Sequence, residues 1–132
     1  MRQTRGRGRI GAVVPISNTN FEPDLALLLP DGFSIHVARA GGYDVDRVPD
    51  SEQMRGFALA SLDGVLADLI AARPDVVLYG CTSATLSHGP RFDREFEAEI
   101  IRKAGVPAVT AAGALVEALN DLDSRLQTLE TT

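Results

Sequence analysis

The chain has 132 residues, 45% apolar and 23% charged, with a formal net charge of −5 at pH 7. That length suffices for one domain with its own core, and the acidic balance argues against nucleic acid as the main partner. A lone cysteine, Cys81, excludes an internal disulfide, and with only His36 and His88 beside it there is no metal cluster to expect. No apolar run approaches the roughly 18 residues of a membrane helix, and no apolar segment follows the first arginines as in a signal peptide. The expectation is a cytoplasmic protein with no membrane partner.

The start, MRQTRGRGR, carries arginine at positions 2, 5, 7 and 9. It could touch phosphate, but a flexible basic tail over residues 1–8 is the plainer expectation. Ile10-Gly11-Ala12-Val13-Val14 is a short apolar run ending at Pro15 and reads as a buried strand. After the polar loop from Ile16 to Asn20, Thr19 with Glu22 resembles a capping box, and Pro23 suits a first helical turn. Leu25 to Leu29 then predicts a short helix stopped by Pro30-Asp31-Gly32. Phe33 to Ala38 alternates and is β-prone, a second strand.

The loop over residues 39–49 contains Gly41, Gly42 and Tyr43. Asp50 with Gln53 reads as a capping box. Met54, Phe57, Leu62, Val65, Leu66, Leu69 and Ile70 lie near helical spacing and predict one long amphipathic helix, ended by Arg73-Pro74-Asp75. Val76 to Tyr79 is the third strand. A helix over Phe92 to Lys103 closes on Ala104-Gly105, Val106 to Thr110 is the fourth strand, and the chain is helical again from Gly113. Strands and helices alternate four times, and the strands are continuously apolar. The fold class is therefore α/β: a four-stranded parallel sheet with helices on both faces.

Ligands of such sheets bind beyond the carboxyl ends of the strands. Two loops of unusual chemistry lie there: Pro15-Ile16-Ser17-Asn18-Thr19-Asn20 after strand one, and Gly80-Cys81-Thr82-Ser83-Ala84-Thr85 after strand three. Outward-pointing amides after Cys81 would favour an anion or a thiolate, and with the hydroxyls of Thr82 and Ser83 could hold a carboxylate. Cys81 is equally readable as a small buried hydrophobe. Asn18 can bind a carboxylate or shape an Asx-turn. Tyr43 can reach over the cleft or sit as a plain loop aromatic, His36 reads as a sheet residue, and His88 as a loop histidine. No hydrolase elbow, P-loop or dinucleotide fingerprint is present.

The run IGAVVPISNTNFEPDL, together with VVLYGCTSAT and AGVPAVTAAGALVEAL, resembles the first half of the aspartate/glutamate racemase superfamily in its maleate isomerase and arylmalonate decarboxylase branch. The likeness spans roughly Arg9 to Leu119 and implies a flavodoxin-like half of that fold. It also implies cofactor-independent chemistry beside a carboxylate, in a site enclosed by two pseudo-symmetric halves that each contribute a cysteine. By that resemblance Cys81 is the catalytic cysteine of the first half. Asn18 matches a carboxylate-binding asparagine, and Pro15, Thr82 and Ser83 border or bind the substrate carboxylate. Ser17 and Tyr43 join them as candidate substrate-binding residues.

Family members are about twice as long, so the second cysteine is missing here. Leu115, Leu119, Leu122, Leu126 and Leu129 follow a 4-3-4-3 spacing, the stripe of a helix packed along a partner helix. This leads us to expect an α/β domain over residues 9–119, a helical extension over 120–132, and a homodimer that joins two copies of Cys81 across one cleft. The expected function is a cysteine-dependent isomerase or racemase acting on a small carboxylate or dicarboxylate. The alternatives are an arylmalonate decarboxylase-like enzyme and a non-catalytic half-domain that binds carboxylates.

Overall fold

Ala12, Val13 and Val14 offer water no polar side chain, and the strand that carries them, β1 (Gly8–Pro15), runs through the interior of the sheet. The structure is a computed structural model that describes residues 6–130, with side chains through residue 127. After β1 come α1 (Phe21–Leu28), β2 (Phe33–Ala40), α2 (Ser51–Ser61), α3 (Gly64–Ile70), β3 (Val76–Tyr79), α4 (Thr82–Leu86), α5 (Gly89–Ala104), β4 (Ala108–Thr110) and α6 (Ala111–Glu130). All four strands are parallel, in the order β2-β1-β3-β4. The chain moves one way from β1 to β2 and the other way from β3 to β4. The carboxyl ends of β1 and β3 therefore flank the point where the winding reverses, which is where such sheets open a crevice.

Side chains alternate across each strand. Val13, Val77 and Tyr79 point to one face and form a single core with Phe57 and Ala58 of α2, Leu66 and Leu69 of α3, and Phe96 and Ile100 of α5. Gly11 shares that face, and a Cβ there would come within 3.1 Å of Leu69, so the missing side chain lets α3 lie close to β1. The other face starts with Phe21 of α1, whose ring covers Gly80.

Several expected boundaries move. The anticipated long helix is two helices, α2 and α3. Ser61 Oγ donates to the Ala58 carbonyl at 2.6 Å and the Leu62 amide turns back to Leu59 at 3.2 Å, which closes α2. Asp63 then pairs with Lys103 at 2.8 Å before the chain restarts at Gly64. The expected Thr19–Glu22 box does not form. Asn18 Oδ1 takes the Asn20 and Phe21 amides, both at 2.9 Å, and the Glu22 carboxylate pairs with Arg39. As a result α1 begins at Phe21, earlier than the apolar run suggested. The Asp50–Gln53 box forms in both directions, and Gly105 closes α5 at φ 69°.

Residues 1–5 of the expected basic tail lie outside the described residues. Arg7 stacks on Phe33 at 5.7 Å, and Arg9 donates to the Ala72 carbonyl at 3.0 Å. α6 is continuous from Ala111, so nothing interrupts it at residue 120. Its Leu115, Leu119, Leu122 and Leu126 are all about half exposed, from 48% to 60%. The side chain of Leu129 lies outside the described residues. Among the described residues no helix is long and apolar enough to cross a membrane.

The start of α6 is fixed by a buried relay. Thr110 Oγ1 accepts from the Gly113 amide at 2.9 Å and donates to Asp93 Oδ2 at 2.9 Å. Asp93 is 7% exposed, and its Oδ1 has no partner among the described residues, so it relies on Thr110. Thr110→Val removes the cap and strands a buried carboxylate. It should cost about 2–3 kcal/mol in urea unfolding; a loss within experimental error would show that the relay adds no stability.

Candidate functional site

The β1–β3 pairing puts Ile10 beside Val76 and Val13 beside Tyr79, and the Gly80 amide continues it by donating to the Val13 carbonyl at 2.8 Å. The two strand-end loops thus leave the sheet at the same height. Between them lies a cleft of about 690 Å³. Pro15, Ser17, Asn18, Tyr43, Cys81, Thr82 and Ser83 all line it, so the seven residues singled out in the sequence meet on one wall system.

Cys81 is 7% exposed and stands in extended backbone immediately before α4. Its Sγ lies 3.7 Å from Ser83 Oγ, close enough for a weak hydrogen bond. Gly80 precedes it for a steric reason. A Cβ there would stand 2.8 Å from the Phe21 ring, too close for any real side chain. The glycine lets α1 begin directly against the cysteine loop.

Asn18 is the hinge of the other wall. A side-chain atom that accepts from two backbone amides must be the carbonyl oxygen, so the amide orientation is set by its partners. The oxygen makes the Asx-turn that the sequence allowed. What Asn18 can still offer a ligand is the Nδ2 donor pair, for which no partner exists among the described residues. Ser17 Oγ and Tyr43 Oη are 2.7 Å apart, and the Tyr43 ring meets Phe57 edge-on at 5.0 Å. This ties the loop after β1 to the loop after β2 across the cleft.

Val45, Arg47, Val48, Pro49, Met54 and Phe57 also line the cleft and were not anticipated as site residues. Their signal was positional, since residues 41–49 follow a strand's carboxyl end. Arg47 is the one charged residue among the described lining residues. His88 is elsewhere: its Nε2 lies 2.7 Å from the Ser51 carbonyl and its ring packs on Phe92. His36 pairs with Ser34 within β2 at 3.0 Å. No group of three or more metal-ligating side chains occurs among the described residues.

Tyr79, two residues before Cys81 on the same strand face, is 1% exposed. Burial drives its phenol far above the usual tyrosine range; Ser61 opposes this slightly and Cys81 adds to it, so the group stays protonated. Ser61 Oγ gives its own proton to Ala58 and stands near Tyr79 Oη, which makes no hydrogen bond of ordinary length among the described residues. The Tyr79 ring is seated edge-on to Phe96 at 4.7 Å. Tyr79→Phe removes an unsatisfied hydroxyl and keeps that contact. It should leave stability unchanged or raise it by up to about 1 kcal/mol; a loss above 1 kcal/mol in thermal unfolding would reveal an unseen partner of the hydroxyl.

The chain can be set beside known proteins on these grounds. No family model matches it. It is 33% identical over 135 residues to the maleate isomerase of Nocardia farcinica, covering 96% of this chain and 52% of that protein. Its fold superposes, with a TM-score of 0.73 and 30% identity, on a cysteine-to-serine variant of the Nocardia farcinica maleate cis-trans isomerase that carries a covalently bound succinylcysteine intermediate. That match covers 88% of this chain and 49% of the solved one. Arylmalonate decarboxylase shares the fold with a TM-score of 0.69 at 21% identity, over 87% of this chain and 46% of the solved one. The chain spans about half the length of the curated relatives it matches.

Proposed function

We propose a function from one premise: this chain carries one half-domain of the racemase-like superfamily to which maleate isomerase belongs. It supplies the first half of a cofactor-independent isomerase site, and Cys81 is its nucleophile. The observation that carries this reading is the convergence of Cys81, Thr82, Ser83, Asn18 and Ser17 on one cleft at the winding reversal of the sheet.

The chemistry follows from the donors. The substrate is a small cis-unsaturated dicarboxylate of the maleate kind. The Asn18 Nδ2 donor pair and the hydroxyls of Thr82 and Ser83 hold one carboxylate. The Cys81 thiolate adds to one alkene carbon and forms a C–S bond. The π electrons move to the neighbouring carbon beside the other carboxylate, and a proton completes a succinyl thioether. The former double bond is now single and rotates. Loss of the same proton and cleavage of the C–S bond return the thiolate and release the trans isomer. The succinylcysteine seen in the Nocardia farcinica relative supports this order.

The proton must come from a second acid, and Cys81 is the only cysteine in this chain. The second half of the fold supplies it, and a second copy related by a twofold axis, which brings Cys81 of each chain to one cleft, is an arrangement that completes the site in this way. The half-exposed leucines of α6 support such an association, because an apolar stripe of this kind on a long helix is stable when covered by a partner.

Incubation with maleate tests the reading. Turnover to the trans isomer should rise more steeply than linearly with protein concentration in the micromolar range. It should fall by about a thousandfold or more in Cys81→Ala. The second reading, a half-domain that binds carboxylates without converting them, rests on the cleft being walled by one half only. It predicts carboxylate binding that survives Cys81→Ala and no turnover at any concentration. Activity on an arylmalonate, with none on maleate, would move the assignment to the decarboxylase class.

A further inference from the structure

We infer that Arg39, outside the cleft, is the positioning residue that sets where Asn18 presents its amide to the ligand. The inference rests on the functional reading above, but its geometry stands apart from it. Arg39 lies near the carboxyl end of β2, opposite Val14. It is not among the cleft-lining residues. Its Nη1 reaches back over the loop after β1 and donates toward three carbonyls: Asn18 at 2.8 Å, Ile16 at 3.1 Å and Pro15 at 3.5 Å. Its Nη2 pairs with the Glu22 carboxylate in the first turn of α1.

Three carbonyl oxygens converging on one point repel each other, and a cation there removes the penalty. Guanidinium suits the task because it is planar, always charged and able to donate from several N–H groups at once. The Pro15 carbonyl has a second donor, since the Asn18 amide closes a turn onto it at 3.0 Å. Among the described residues the Ile16 and Asn18 carbonyls have Arg39 alone.

The consequence reaches the cleft through Asn18. Its Oδ1 is fixed by the Asn20 and Phe21 amides, and its own backbone is fixed by Arg39. The Nδ2 donor pair therefore points where these two anchors together send it. Arg39 controls the backbone anchor directly and the Oδ1 anchor through Glu22, the residue after Phe21 in α1. A displacement of Asn18 by a fraction of an ångström would weaken a hydrogen bond to a carboxylate much more than it would weaken the fold.

Arg39→Ala and Arg39→Lys test this with two independent readouts. The first is amide hydrogen exchange at Asn20 and Phe21. It should accelerate about tenfold in Arg39→Ala, as expected for losing one charge-assisted hydrogen bond, while exchange of β1 and β3 core amides stays unchanged. The second is protection of Cys81 from iodoacetamide by malonate, for which the half-protecting concentration should rise about tenfold. Arg39→Lys should recover little of either, because an ammonium is a point donor without the fork.

Unchanged exchange and unchanged protection in Arg39→Ala would overturn the inference. So would full rescue by lysine, which would reduce the role to charge alone. Acceleration throughout β1 and β3 would also overturn it, by making the role one of general stability. If malonate fails to protect Cys81 in the unmodified protein, the functional reading fails, and the exchange measurement still decides whether Arg39 sets Asn18.

Discussion

The lateral pairing of β1 with β3 is the constraint on which the rest of the molecule depends. These strands are separated in sequence by α1, β2, α2 and α3, yet they lie side by side in the sheet. Once they pair, the winding must go outward in both directions, and the crevice between their carboxyl ends follows. The register then decides what meets there. With Val13 beside Tyr79, the loops holding Asn18 and Cys81 leave at one level. A slip of one residue would put Val13 on the opposite face from Val77 and Tyr79, against the burial of all three in one core.

Around that crevice, apolar burial and polar positioning use the same few residues. Phe21 covers Gly80 and so sets α1 against the cysteine loop, while its amide holds Asn18 Oδ1. Tyr43 packs on Phe57 and presents its hydroxyl to Ser17. The apolar contacts fix the distance between the two walls, and the hydrogen bonds fix which donors face inward. Such coupling makes the site sensitive to residues that bring no reactive group to it, Gly80 among them.

What the sequence disclosed, and what it withheld, follows from the range of the forces involved. Val76 to Tyr79 was legible to the residue because a continuous apolar run is bounded by Pro74-Asp75 and Gly80, all local signals. The Asp50–Gln53 box and the Gly105 cap are equally local. The break between α2 and α3 was hidden because leucines stay in helical phase on both sides of it, and its causes include an ion pair from Asp63 to Lys103, 40 residues away. The start of α6 at Ala111 depends on Asp93 reaching Thr110 across 17 residues. Thr19 drew attention as a cap because its spacing to Glu22 fits, but Arg39 draws that carboxylate from β2. The candidate site was legible in its two strand-end motifs. Its third wall, residues 45–49 with Met54 and Phe57, was not, because no spacing in the chain says how a loop folds over a cleft.

The central claim is that Cys81 is a nucleophile toward an unsaturated dicarboxylate, held in a cleft that a second chain completes. Intact-mass analysis after rapid acid quenching of the protein with maleate tests it most directly. The account predicts a covalent adduct with the mass of one maleate on no more than half of the chains, mapped by peptide analysis to Cys81 and absent from Cys81→Ser. A protein that remains unmodified at saturating maleate, or an adduct that persists in Cys81→Ser, would contradict it.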